Sequence, residues 1–276
     1  MSSNQLHHRP LLMPMSISMS VSRGVLFLAA LAALLSQADP AAGRTAAEAI
    51  AAGDEAYAAA RLEEARAAYA EAIKAAPKSV PALCRASRAC SELGETQKGD
   101  TQRMTWAEAV QYARDAVRVA PDSAAPHVWL AVALGRQAQR EGAKTRLALA
   151  KEIKAEAERA ISLDPGIGRA WHVIAAWNAG IAGLSSMQRM AANTVLGGVP
   201  KGASRENAEA AFQKAIELEP RYVNHRVAYG RLLKDMKRNA DARKQLEQAL
   251  ALPPTSSALD ARYQSEARAL LEKLPR

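Results

Sequence analysis

The sequence predicts an all-α protein, an α-solenoid in which helix pairs stack on one continuous core. Three observations carry this. First, a four-position pattern returns five times: Ala65, Tyr69, Ala72 and Pro77; Ala109, Ala113, Ala116 and Pro121; Ile153, Ala157, Ala160 and Pro165; Ala208, Phe212, Ala215 and Pro220; Ala242, Leu246, Ala249 and Pro254. Offsets of four and three place three side chains on one helix face, and a proline five residues later cannot continue the helix. Second, 49% of the 276 residues are hydrophobic but only 4% are aromatic, much of the remainder being alanine. That composition suits closely approaching helices. Third, no segment shows the alternation of β-branched and polar residues that marks a strand.

The pattern Ala-x3-Phe-x2-Ala-x4-Pro resembles the second helix of a tetratricopeptide repeat (TPR). The resemblance implies a right-handed superhelix of helix pairs whose first helices line a concave groove, a fold used to hold partners. Small alanines let the paired helix approach, and Tyr69 or Phe212 fills the space between units.

Residues 1–38 precede the repeats and contain no Asp or Glu. Arg9 and Arg23 come before an unbroken apolar run, Val25 to Leu35, and Ser36-Gln37-Ala38 places small residues at the positions required for a cut after Ala38. This is the pattern of a secretory signal peptide. The run falls short of the roughly 20 apolar residues of a membrane span. Export to a periplasm or another extracytoplasmic compartment is expected. The alternative is an organelle transit segment followed by a thylakoid-type signal, which would lead to the thylakoid lumen or another organelle. Residues 39–46 read as a flexible lead-in, and 47–274 as five helix-pair units.

The marker prolines are 44, 44, 55 and 34 residues apart, against an ordinary TPR period of about 34. In unit one, Gly53 stands where TPRs place a small residue at the helix contact. Unit two opens with a helix holding Cys84 and Cys90. Six residues along a helix rise about 9 Å, beyond the roughly 7 Å reach of a disulfide, so both cysteines read as small core residues. An insert near 95–105 follows, and Gly94 and Gly99 suggest a loop there. Unit three carries an insert near 137–146 that is polar enough (Arg136, Arg140, Glu141, Lys144, Arg146) to lengthen its helix pair. Unit four carries the longest insert, 184–204. Ser185 or Ser186 can cap a short helix with Met187, Met190, Ala191 and Val195 on one face, ended by Gly197-Gly198-Val199-Pro200. It reads either as a packed helix or as a mobile flap over the groove. In unit five, Gly230 repeats the small contact residue. Arg226 stands where TPRs usually have a large residue, as Leu83 and Trp171 do in units two and four. Residues 257–274 (Leu259, Tyr263, Ala267, Leu270, Leu271) read as an amphipathic capping helix.

From about Ala82 to Leu274 the chain also resembles the TPR domain of the regulator of microtubule dynamics family, including its bacterial-type members. The residues that carry this are Trp177 and the long segment after it, Ser204 through Ala215, Leu218-Glu219-Pro220, Tyr229-Gly230-Arg231-Leu232, Ala242, Ala249 and Leu252-Pro253. Ala175-Ala176 stand where members tend to have Gly-Arg. The resemblance implies an interaction domain and, in one branch, a membrane-contact and phospholipid-binding role.

The formal net charge is +9, and loss of residues 1–38 removes two arginines and no acid, leaving +7. The repeat phase points Arg85, Arg88, Arg136, Arg169, His172, Arg231 and Lys234 into the groove. A planar guanidinium pairs with a carboxylate or phosphate through two hydrogen bonds. The expected function is therefore a non-enzymatic scaffold or adaptor binding an acidic segment of another protein in a basic concave groove. A phospholipid or anionic membrane surface is the alternative. The Lys/Asn pair of carboxylate-clamp TPRs is missing, since Ile50 and Asp54 occupy those positions. After cleavage His127, His172 and His225 lie in separate units at no metal-ligand spacing, and no hydrolase, zinc-protease or phosphate-loop motif occurs. No enzyme activity, cofactor or nucleic-acid partner is expected.

Overall fold

The computed structural model describes residues 44–195, 198–254 and 257–275, and these described residues form one compact unit. The leader 1–38 and residues 39–43 of the lead-in lie outside the described residues. Among the described residues there are twelve helices and no strand: α1 (Ala46–Ala58), α2 (Leu62–Ala75), α3 (Val80–Thr96), α4 (Gly99–Val119), α5 (Ala124–Ala138), α6 (Ala143–Leu163), α7 (Gly168–Ala182), α8 (Ser186–Val195), α9 (Arg205–Leu218), α10 (Val223–Asp235), α11 (Asn239–Ala251) and α12 (Asp260–Glu272). The chain is an α-solenoid of TPR-type helix pairs: α1 with α2, α3 with α4, α5 with α6, α7 with α9 and α10 with α11. α8 lies in the connection between α7 and α9. α1 starts at a reciprocal cap, with the Glu48 amide donating to Thr45 Oγ1 (3.3 Å) and the Thr45 amide donating to the Glu48 carboxylate (2.9 Å).

The recurring pattern is the core. Ala65, Ala72, Ala109, Ala113, Ala116, Ala157, Ala160, Ala208, Ala215, Ala242 and Ala249 are fully buried, and Tyr69, Phe212 and Leu246 are buried beside them. Close approach explains Gly53 and Gly230. A Cβ on Gly53 would stand 2.4 Å from the Tyr69 ring, and one on Gly230 would stand 2.8 Å from Leu246. Arg226 reaches outward from α10, where its guanidinium donates to Gln245 (3.1 Å) and Gln248 (2.8 Å). Cys84 and Cys90 are buried and unbridged in α3, and burial pushes their thiols up to about 11 and about 12.

Two local expectations change. The loop expected near 95–105 is mostly helix. α3 runs through Thr96, Gln97 and Lys98 make the turn, and α4 starts at Gly99. Gly94 sits inside α3 because the Trp106 indole lies over it, 2.3 Å from where a Cβ would be. Ser185 caps α8, accepting from the Gln188 amide at 3.2 Å, but the face bearing Met187, Met190 and Ala191 points outward. Met187 and Met190 are 75% and 64% exposed, while Ala192 is buried. Arg189 ties α8 to α7 by donating to the carbonyls of Ile181 and Ala182 (2.9 and 3.2 Å). Residues 137–146 hold the end of α5, a turn at 139–142 and the start of α6.

α12 packs on α10 and α11, and the segment ahead of it reaches across the inner face to the first two units. The Glu92 carboxylate of α3 accepts from Tyr57 Oη (2.6 Å) and Ser257 Oγ (3.0 Å), and the Ala258 amide donates to Tyr57 Oη (3.3 Å). Arg262 pairs with Glu95 (3.6 Å), and Arg136 Nη2 donates to Tyr263 Oη (3.2 Å). Tyr57, Leu93, Phe212, Leu259 and Tyr263 belong to one core cluster. Tyr57 and Ser257 should therefore be energetically coupled through Glu92. Each of Tyr57→Phe and Ser257→Ala is expected to destabilise the chain by about 1–2 kcal/mol in urea unfolding. The double variant should depart from additivity by at least about 0.5 kcal/mol, whereas additivity within about 0.3 kcal/mol would separate the two ends.

Candidate functional site

Successive first helices α3, α5, α7 and α10 stand side by side along the inner face. A cavity of about 630 Å³ opens there between units three and four. α5 contributes Trp129, Val132, Gly135 and Arg136; α7 contributes Arg169, His172, Val173, Ala176, Trp177 and Gly180. Arg146 and Ala150 of α6, Leu184 at the start of the long insert, Glu92 of α3 and Tyr222 ahead of α10 complete the walls. Among these large side chains, Gly135, Ala176 and Gly180 leave room. A Cβ on Gly135 or Gly180 would meet nothing within 4 Å, unlike those on Gly53, Gly94 and Gly230. A glycine inside a helix costs about 0.5–1 kcal/mol relative to alanine, and no packing contact requires either of these two.

The structure divides the seven expected groove residues. Arg136, Arg169 and His172 line the cavity. Arg88 stands just behind it, with its guanidinium 3.9 Å above the Tyr57 ring and 5.7 Å from the Trp129 ring. Arg85, Arg231 and Lys234 lie outside. The five arginines all have carboxylate partners within the chain: Arg85 with Asp54 (2.7 Å), Arg88 with Glu92 (3.6 Å), Arg136 with Glu95 (2.6 Å), Arg169 with Glu219 (3.8 Å), and Arg231 with Glu266. The inner face is therefore a set of ion pairs and aromatic rings rather than a row of uncommitted cations. Arg169 also lies over the Tyr222 ring at 4.4 Å.

A histidine pair lies beneath Arg169. His172 Nδ1 and His225 Nδ1 are 2.9 Å apart, and His225 Nε2 faces Glu219 at 3.7 Å. A consistent proton assignment puts a proton on His225 Nε2, toward the carboxylate, and another on His172 Nδ1, which then donates to His225 Nδ1. Burial, then His225, then Arg136, Arg169 and Arg231 hold the His172 imidazole well below its ordinary range. Burial also lowers His225 despite the Glu219 carboxylate 3.7 Å from its Nε2. Burial works against the Glu219 charge, but His225 and Arg169 outweigh it and keep the carboxyl below its usual range. Among the described residues no group of three His, Cys, Asp or Glu side chains is arranged to hold a metal ion.

Trp129, Val132, Arg146, Trp177, Gly135 and Gly180 were not singled out as groove residues. The repeat phase contains part of the signal. Trp129 and Val173 occupy the phase of Arg85, Val132 and Ala176 that of Arg88, and Gly180 that of Arg136. A search for charge passes over these positions, although units three and four place their apolar and small residues there.

The family model for regulator of microtubule dynamics proteins 1–3 matches residues 49–275. Regulator of microtubule dynamics protein 1 of Caenorhabditis elegans is 28% identical over 191 residues, covering 69% of this chain and 84% of that protein. Protein 3 of Rattus norvegicus is 30% identical over 173 residues, covering 62% of this chain, and protein 1 of Bos taurus is 32% identical over 142 residues, covering 51%. The matches span only 36% of the rat protein and 44% of the bovine protein. Among solved structures, a thermophilic TPR protein of Thermus thermophilus superposes with a TM-score of 0.60 at 20% identity, covering 80% of this chain and 98% of that one. This likeness shows the fold.

Two outcomes follow from the geometry. Gly135→Ala should raise stability by about 0.5–1 kcal/mol in urea unfolding, since the methyl meets no neighbour; a loss of stability would show that the site is not open space. The histidine pair gives a pH dependence. With native pKa values below the unfolded value, its contribution is complete above the ordinary imidazole range and is lost as the pH falls through it. Unfolding free energy measured from about pH 7.5 to about pH 5 should fall more steeply in the native chain than in His172→Gln, and equal slopes would contradict the assignment.

Proposed function

The chain belongs to the regulator of microtubule dynamics family, and from that premise we propose that it is a non-catalytic interaction module that holds a segment of another protein in the cavity of units three and four. One observation carries the reading: the cavity is lined by two helix glycines, Gly135 and Gly180, that no packing contact requires. Its volume lies within the range of functional pockets, about 300–1,000 Å³. Two tryptophans and a tyrosine on its walls supply large contact areas at small conformational-entropy cost, as recognition surfaces commonly do. The net charge of +9 supports an acidic partner. The leader pattern of residues 1–38 supports action in an extracytoplasmic compartment.

A second reading, an anionic phospholipid, is favoured by the apolar walls (Val132, Val173, Ile181, Leu184) beside three arginines. Among the described residues no helix is long and apolar enough to cross a membrane.

Photo-crosslinking separates the readings. A benzoylphenylalanine at Ala176 should give a discrete protein adduct in cells, while the same group at the exposed Lys244 on α11 should not. Gly135→Leu with Gly180→Leu should reduce that adduct at least about tenfold while leaving circular dichroism unchanged. A lipid adduct at Ala176 would favour the second reading, and no adduct above the Lys244 control would contradict both.

A further inference from the structure

Arg136 and Arg169 inside the cavity are paired with carboxylates, but Arg146 in its wall and the cations in the segments that adjoin the cavity are not. Arg146 lines the opening, where its Nε donates to the Ala138 carbonyl (3.3 Å) and its Nη2 to the Glu141 carbonyl (2.9 Å). Carbonyl dipoles orient the planar guanidinium but do not neutralise it. Arg140, in the turn ahead of α6, donates to the Gln102 side-chain oxygen (2.7 Å), another neutral acceptor. Lys144 is exposed in the first turn of α6. Across the opening, Ile181 and Leu184 line the cavity, and Arg189 holds the carbonyls of Ile181 and Ala182. Among the described residues none of Arg140, Lys144, Arg146 or Arg189 has an ion-pair partner. Glu141 is the one acid in the first lip, and the sequence from Pro165 to Arg205 contains no Asp or Glu.

Ala138, Gln139 and Arg146 of the insert near 137–146, and Leu184 at the start of the insert near 184–204, line the cavity, so residues that exceed the ordinary repeat border it on two sides. A carboxylate placed deep in the cavity would have to compete with Glu95 and Glu219 for arginines already engaged, and it would lose its hydration there. A carboxylate at the lip keeps part of its water and meets a guanidinium whose orientation is already fixed.

Resting on the reading that the cavity holds a protein segment, we infer that this segment buries apolar side chains in the cavity and carries its Asp and Glu residues just outside, against Arg140, Lys144, Arg146 and Arg189. The acid-binding site is thus the rim built by the inserts. The concave arginines Arg85, Arg88, Arg136, Arg169 and Arg231 hold the fold's own carboxylates.

A phage-displayed library of random dodecapeptides, panned on the full chain, tests this. The native chain should enrich peptides with a block of Leu, Phe or Trp bordered by Asp or Glu. Neutralising the rim (Arg140→Gln, Lys144→Gln, Arg146→Gln and Arg189→Gln together) should keep the apolar block and lose the acidic border. The best selected peptide should bind the rim variant about tenfold more weakly at low ionic strength. Raising salt from about 50 to about 500 mM should weaken its binding to the native chain and leave binding to the rim variant little changed. Acidic borders that persist on the rim variant, or apolar peptides enriched without acids on the native chain, would overturn the inference and leave the cavity reading standing. Enrichment equal on the native chain and on Gly135→Leu/Gly180→Leu would overturn the cavity reading itself.

Discussion

Everything in this chain depends on how closely its helices approach one another at small residues. The buried alanines of the recurring pattern bring each second helix onto its neighbours, and Gly53 and Gly230 lie so near the Tyr69 ring and Leu246 that a methyl group would collide. The same kind of residue does the opposite in units three and four. Gly135 and Gly180 face the inner side of the stack, where no large partner covers them, and their lack of a side chain leaves room instead of contact. Stability and the cavity thus come from one device applied on different faces of the helices.

The second constraint is closure. A simple solenoid leaves its inner face open from end to end, but here the segment before α12 ties the last unit to the first two. Glu92 is the pivot, a carboxylate 6% exposed that accepts hydrogen bonds from Tyr57 and Ser257. A buried charge is tolerated only when its hydrogen bonds are satisfied. Arg136 and Tyr263 lie on the same seam, and Glu92 and Arg136 are also cavity walls. The closure therefore fixes one side of the site.

Much of the fold was legible because repetition gives the same statement five times. Alanine at fixed offsets before a proline has a single physical meaning, and those alanines are buried as it requires. Gly94 was ambiguous because a glycine both interrupts helices and admits a bulky neighbour, and only Trp106, twelve residues away, decides between the two. The charged groove residues were legible in phase but not in state. Glu95 and Glu219, which engage Arg136 and Arg169, come from the preceding unit and from a turn, at separations no local pattern encodes. Closure through Glu92 and Ser257 joins residues 165 positions apart and has no sequence signature. Trp129 and Val132 did have one, the phase shared with Arg85 and Arg88, and a search restricted to charge passed over it.

The cavity lies between a neutralised, aromatic floor and a positive rim, so its occupant needs apolar contact first and charge second. A small anionic aromatic compound therefore tests most directly whether this space receives ligands. Titration with anilinonaphthalene sulfonate, followed by fluorescence, should show one saturable site per native chain. That site should disappear in Gly135→Leu/Gly180→Leu at an unchanged thermal midpoint. Equal saturable binding to both proteins would place the site elsewhere and contradict the assignment of function to this cavity.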